Sequence, residues 1–237
     1  MSPVRAIAEG LFPEPFVFWV KEIKHWLVGT RSAFYSQSGE DIIISKLLPQ
    51  RKGFFVDVGA FHPKRYSNTY VLYRRGWRGI NIEPSPRGVS LFKLFRGRDI
   101  TIQAGVSEKE EIRTYYRFSH PGMNTFSREQ AQEVQKKNWV RFLGTSEVSC
   151  LPLSTILETY VPKNTPLDLL TIDVEGLDLL VLHSNDFTRF SPKVIAIEVL
   201  DFTPAYPQNN PTYLFLTQRG YVLHAYTGLT LIFTRTS

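Results

Sequence analysis

The sequence predicts an α/β domain built on a largely parallel sheet that closes in an antiparallel hairpin. Three observations carry that expectation. From Gly53 onward, short apolar runs alternate with helical stretches, the rhythm of strands joined by right-handed crossovers. Near the carboxyl end, two strand-like runs at 221–226 and 229–234 flank Thr227-Gly228, a tight-turn signature. A chain of 237 residues, 43% apolar and 14% aromatic, is long enough for one sizeable core.

The elements follow in order. Phe16, Trp19, Val20, Ile23, Trp26 and Leu27 recur at three- and four-residue steps, with Lys21, Glu22, Lys24 and His25 largely opposite. They predict an amphipathic helix closed by Gly29, within an N-terminal extension (1–34) of the main domain (35–237). Its apolar face either packs on the domain or lies on a membrane surface, giving a peripheral contact through residues 16–27. Residues 54–59 read as a buried strand and 67–75 as a helix capped by Ser67. A second strand (79–83), a helix (84–95) and a third strand (99–104) succeed them. Residues 112–118 alternate like a strand and are expected to extend the third strand as a hairpin. Residues 119–146 are polar and irregular, with one helical stretch at 128–142, and read as an insertion over the active face. Its His120, Asn124, Thr125, Arg128 and Trp139 are expected to shape the acceptor pocket. A strand at 148–151, a helix at 154–160, a fourth core strand (167–173), a helix (177–183), a fifth strand (193–199) and a helix (211–219) lead to the hairpin.

Composition narrows the class. The lone Cys150 excludes a disulfide framework and a cysteine-based zinc site, and reads as a small buried hydrophobe in a reducing compartment. The net charge of +6 gathers partly at Arg74, Arg75, Arg78, Arg87, Lys93, Arg96 and Arg98, expected to be a solvated face. Without a basic tail, no nucleic-acid partner is expected. Neither a secretory signal nor an apolar run of ~18 residues is evident, which points to a cytoplasmic protein, free or peripheral to the inner membrane face.

In an open parallel sheet, ligands bind outside the carboxyl ends of the strands. The first strand ends Asp57-Val58-Gly59-Ala60-Phe61. Asp57 suits an ammonium group and Gly59 a close backbone approach, but His62-Pro63 replaces the further glycines of a dinucleotide site. Glu83, followed by Pro84, ends the second strand, where a carboxylate can accept both hydroxyls of a ribose. Ala104 and Val106, after the third strand, would line an adenine slot. The fourth ends Asp173-Val174-Glu175-Gly176, a carboxylate cluster of the kind that marks a site. Glu198 ends the fifth. Asp173 and Glu198 would share a divalent cation or a hydrogen-bond network; the sequence leaves both open.

Six segments occur in order: Tyr35-Ser36-Gln37-Ser38-Gly39-Glu40-Asp41, residues 55–63, Ser67-Asn68-Thr69, Gly76-Trp77-Arg78-Gly79, Ile82-Glu83-Pro84 and residues 172–176. Together they resemble the FkbM family of methyltransferases that use S-adenosylmethionine (SAM), over 35–235. The resemblance implies a class I SAM-methyltransferase (Rossmann-like) fold, with a seven-stranded sheet whose last strand is antiparallel. It also implies O-methylation of a small-molecule or glycan acceptor. By position, Asp57, Gly59, Ala60 and Phe61 would lie by the methionine part of SAM, while Glu83 and Pro84 hold its ribose. Gln37 and Glu40 would close the site. Asp173 or Glu175 would serve as base, with His62 as a further candidate. Two rivals remain: a nicotinamide-dependent oxidoreductase, disfavoured by the absent glycines and the hairpin, and a catalytically silent binding module in glycan assembly.

Overall fold

The computed structural model describes residues 34–236 and, ahead of them, residue 23. Apart from that one residue, the amphipathic helix expected at 16–27 and its membrane contact lie outside the described residues. The described chain begins with α1 (Glu40–Leu47), β1 (Phe54–Val58), α2 (Tyr70–Arg74), β2 (Arg78–Ile82), α3 (Pro86–Phe95) and β3 (Ile100–Ile102). It continues through β4 (Gly105–Val106), β5 (Glu111–Phe118), α4 (Arg128–Gln135) and β6 (Phe142–Leu151). The last part comprises α5 (Leu153–Tyr160), β7 (Leu169–Ile172), α6 (Asp178–His183), β8 (Val194–Glu198), α7 (Pro211–Thr217), β9 (Tyr221–Tyr226) and β10 (Thr230–Arg235).

Seven strands form one sheet in the order β3-β2-β1-β7-β8-β10-β9. All pairings from β3 to β8 are parallel, and β10 runs antiparallel to both β8 and β9. Strand order reverses between β1 and β7, which makes their carboxyl ends the ligand-binding crevice of such a sheet. The central strands are buried on both faces, so they read as mostly apolar runs. In β1, Phe54, Val56 and Val58 enter the larger core cluster, while Phe55 enters a second cluster with Trp77 and Ile44.

Two expectations are corrected. β5 does not extend β3: it pairs antiparallel with β6, which pairs parallel with β4, in a separate three-stranded sheet. The ten-residue β6 supplies the partner, and the polar run Gly144-Thr145-Ser146 hid its first half in a stretch that reads as loop. The helix expected over 128–142 stops at Gln135, where Lys136-Lys137-Asn138 ends the apolar spacing that packs Ala131 and Val134. The basic cluster is not wholly solvated either. Arg96 is 0% exposed, and its guanidinium donates to Asp99 (2.8 Å), the Pro63 carbonyl (3.2 Å) and Thr69 Oγ1 (3.2 Å).

Candidate active site

Loops at the carboxyl ends of β1, β2, β7 and β8 bring the sequence-picked residues into two adjoining groups. The first gathers around Glu83. Its Oε2 accepts from the Phe61 N–H (2.9 Å) and its Oε1 from the Ser85 N–H (2.8 Å). Burial nevertheless raises Glu83 to about 7, with those two amides opposing and the Asp57 charge adding. Beneath it, a Cβ on Gly88 would stand 2.6 Å from Glu83 Cγ, so only glycine admits the carboxylate's stem there. Ala60 is buried, its N–H bonded to the Ile82 carbonyl, and Phe61 takes a left-handed φ of 54°. Pro84 is buried beside them. Ala104 and Val106 are packed into the main core cluster.

Two residues in this group have duties other than those expected. Gly59, at φ 77°, permits loop-to-loop contact: a Cβ there would lie 1.7 Å from the Asp173 carbonyl oxygen. Asp57 turns to the second-core face, where its Oδ2 accepts from Thr69 Oγ1 (2.7 Å), the hydroxyl Arg96 also reaches. Burial lifts Asp57 to about 6, against that hydrogen bond and the Arg96 charge. His62 is likewise structural in its bonding. It is buried, and Nδ1 accepts the N–H groups of Lys64 (3.0 Å) and Arg65 (2.9 Å), which fixes the turn after Phe61.

The second group surrounds Asp173. Gln37, Ser38, Glu40, Tyr66, Asn68, Asp173 and Glu198 line a small cavity of about 10 Å³, room for about one water molecule. Asp173 lines this cavity with one edge and is otherwise more than a third exposed. Burial raises Asp173 well above the usual carboxylate range, with Glu198 the next cause and Glu175 after it. Glu198 is raised to about 8 by burial, then by Glu175 and Asp178, partly offset by a hydrogen bond with Asp173. The two carboxyl groups stand on adjacent strand ends and each bears on the other's proton affinity, so they titrate as a pair. Glu198 Oε2 is buried without a hydrogen-bond partner. Glu175, at φ 55°, is raised to about 7 by burial and then by Asp178. Among the described residues no group of three or more His, Cys, Asp and Glu side chains is arranged to hold a metal ion.

Sequence reasoning missed several parts. Asp178 accepts from the Val174 (3.0 Å) and Gly176 (3.2 Å) amides and so shapes the loop that carries Glu175. Asn68 donates to Thr171 Oγ1 (3.0 Å), and Thr227 Oγ1 donates to Glu40 (2.6 Å), latching the 35–41 segment across the hairpin. From the insertion, Thr125 Oγ1 donates to the Glu175 carbonyl (3.0 Å). Tyr115 is buried, its hydroxyl raised well above 10 first by burial and then by Glu83. An acid in the first turn of a helix, able to reach back to the amides of the loop before it, was legible in Gly176-Leu177-Asp178. The Tyr115 contact depends on a sheet the sequence did not reveal.

The family model described as the methyltransferase FkbM domain matches residues 57–223. The chain belongs to the FkbM methyltransferase family. No curated protein matches this FkbM methyltransferase. A methyltransferase from Geobacter sulfurreducens is 12% identical, with 100% of this chain and 98% of that one covered and a TM-score of 0.43. A TehB-like SAM-dependent methyltransferase from Corynebacterium glutamicum is 9% identical, covering 95% and 100% at 0.43. An O-methyltransferase from Bacillus cereus in complex with SAH is 10% identical, covering 98% and 96% at 0.42. Scores this low add nothing to what the strand order states. Among the described residues no helix is long and apolar enough to cross a membrane.

The donor set fits SAM. Each Glu83 oxygen accepts one backbone amide and has a second lone pair, the acceptor pattern that a ribose diol would require.

Proposed function

We propose that this FkbM methyltransferase moves a methyl group to a hydroxyl of a polyhydroxylated acceptor, a glycan sugar or a natural product. The observation that carries the proposal is the Asp173–Glu198 carboxyl pair in a cavity also lined by Gln37, Ser38, Asn68 and Tyr66. An alcohol is a poor nucleophile until its proton leaves. A carboxyl pair whose proton affinity is raised toward neutrality suits that removal, where an amine or thiol acceptor would need it less. Side-chain amides, a hydroxyl and an exposed tyrosine ring suit the many hydroxyls and apolar faces of a sugar.

SAM, when bound, supplies the methyl group and a sulfonium leaving group. Glu83 holds the ribose through its remaining lone pairs, Pro84 fixes the turn after it, and the Gly59-Ala60-Phe61 loop flanks the methionine end. Ala104 and Val106 back the adenine side. Asp173 takes the acceptor proton, Glu198 shares it, and Glu175 adds the negative charge that raises both affinities. Gln37 and Glu40 close the cavity and exclude water, and Asp57 and His62 keep the first loop in shape.

The test is a comparison of glycan and metabolite extracts with and without the gene, seeking a lost CH₂ increment on an oxygen, followed by assay of the isolated acceptor. Asp173→Asn should lower kcat by about 10²–10⁴-fold while leaving the SAM Kd within a few-fold. Full activity in that variant, or methyl on nitrogen or sulfur, would overturn the proposal.

A further inference from the structure

Between α4 and β6 the chain reads Lys136-Lys137-Asn138-Trp139-Val140-Arg141-Phe142-Leu143. Three large apolar side chains stand outward within five residues: Trp139 is 60% exposed, Phe142 45% and Leu143 52%. The presentation is built. Val140 points inward and is buried in a satellite core with Phe118, Ala131 and Val134. The Arg141 N–H donates to Ser119 Oγ (2.9 Å) and the Ser119 N–H to the Arg141 carbonyl (2.8 Å), so the segment is pinned just after Val140. Trp139 is held edge-on against His120 (5.2 Å between rings), with the Lys137 ammonium 5.9 Å from its ring. A small core therefore holds apolar side chains in water, an arrangement that marks an interaction surface.

Charge and area identify the occupant. The eight residues carry three cations and no carboxylate. The adjacent Glu133 is engaged by Lys136 (2.5 Å). Aromatic and aliphatic tips interleaved with Lys and Arg suit the boundary between headgroups and acyl chains, where rings enter and cations meet lipid phosphates. The three tips offer roughly 300 Å², well short of the ~800 Å² per partner of a stable protein interface. We propose that residues 136–143 dock this protein on an anionic phospholipid bilayer. The inference goes beyond methyl transfer and stands whether or not the acceptor is a sugar. If both hold, docking presents the acceptor site at a membrane surface, because the same insertion carries Thr125 to the Glu175 carbonyl.

The experiment uses the full chain with Trp19→Phe and Trp26→Phe, which leaves Trp139 and the fully buried Trp77. Vesicles of phosphatidylcholine with brominated acyl chains, with and without phosphatidylglycerol, serve as the probe. Trp139 emission should be quenched only when the anionic lipid is present, and less so at high salt. In flotation assays Trp139→Ala with Leu143→Glu should lower bound protein about 10-fold or more; Phe142 is left in place because its ring meets that of buried Phe118 (5.6 Å). Absence of quenching would overturn the proposal. So would flotation that survives these changes and vanishes only when residues 16–27 are altered. A dimer in light scattering that Trp139→Ala abolishes would assign the patch to a second copy instead.

Discussion

Replacing Arg96 with Met tests whether the buried guanidinium holds the first site loop in place. Arg96 bonds Asp99, Thr69 and the Pro63 carbonyl, and its guanidinium lies 4.6 Å from the Tyr73 ring centroid and 5.3 Å from that of Phe55. Methionine keeps the stem's packing and deletes the charge. Breaking a buried ionic network by removing one partner costs about 3–5 kcal/mol. At roughly 2–4 °C per kcal/mol for a domain this size, Tm should fall by about 6–20 °C. The pH dependence is the sharper readout. Arg96 lowers the proton affinity of both Asp57 and Asp99, which burial raises. Without it both folded-state pKa values climb further above the unfolded value of about 3.9. The variant's native state then holds protons the unfolded state has released, so its stability falls as pH rises through those higher pKa values. The deficit against wild type should be small near about pH 5 and full near about pH 8. Calorimetry at both values decides the matter. Equal deficits would show that lost packing, and not stranded carboxylates, is responsible, and the loop-holding role would fail.

Gly59→Ala should cost about 1–2 kcal/mol for the left-handed backbone alone, and its Cβ would meet the Asp173 carbonyl 1.7 Å away. Because backbone must move to relieve that contact, kcat should drop by about 10²-fold; an active variant of unchanged Tm would contradict the close approach. Gly88→Ala would press on Glu83 Cγ at 2.6 Å, so calorimetric SAM affinity should weaken about 10-fold or more while the acceptor KM changes little. The apo protein should lose stability as pH rises from about 4.5 to about 8, because Glu198 is raised from 4.5 to about 8 and the folded state keeps the proton longer. Urea midpoints should decline across that window, and Glu198→Gln should flatten the curve; a flat wild-type profile would dispose of the shared-proton pair.

The parallel core was readable because strands buried on both faces must be mostly apolar, as in Phe54–Val58 and Leu169–Ile172, where only Asp57 and Thr171 break the run. The antiparallel end was equally legible from Thr227-Gly228. What escaped was pairing between segments that are polar on one face. β6 alternates exposed Glu147 and Ser149 with buried Val148 and Cys150, and its first half buries nothing. No apolar period announces such a strand until β5 is found opposite it. At the candidate site, the sequence placed Glu83, Asp173 and Glu198 at or just beyond the carboxyl ends of their strands, and they stand there. Strand-end chemistry could not separate residues that face a ligand from those that brace a loop, because an aspartate accepting from a threonine and one facing a cavity look alike in sequence. Asp57 and His62 are the cases in point, and their partners Thr69, Lys64 and Arg65 lie in a turn whose path depends on the left-handed Phe61 and Tyr66.

The carboxylates divide by what already donates to them. Glu83 and Asp178 each accept two backbone amides, which commits them to a fixed orientation: Glu83 aimed from the turn after β2, Asp178 shaping the loop after β7. Asp173 and Glu198 accept from no backbone amide, and burial raises the proton affinity of both. Burial without donors destabilises the fold, and replacement of either by an apolar residue of similar size would relieve it. A fold that needed only stability would not place two unsupported acids on adjacent strand ends where a cavity opens. Under the proposed function, an acceptor hydroxyl arriving from outside is what such a pair would serve. That asymmetry separates the residues that hold the FkbM site from those that would act in it.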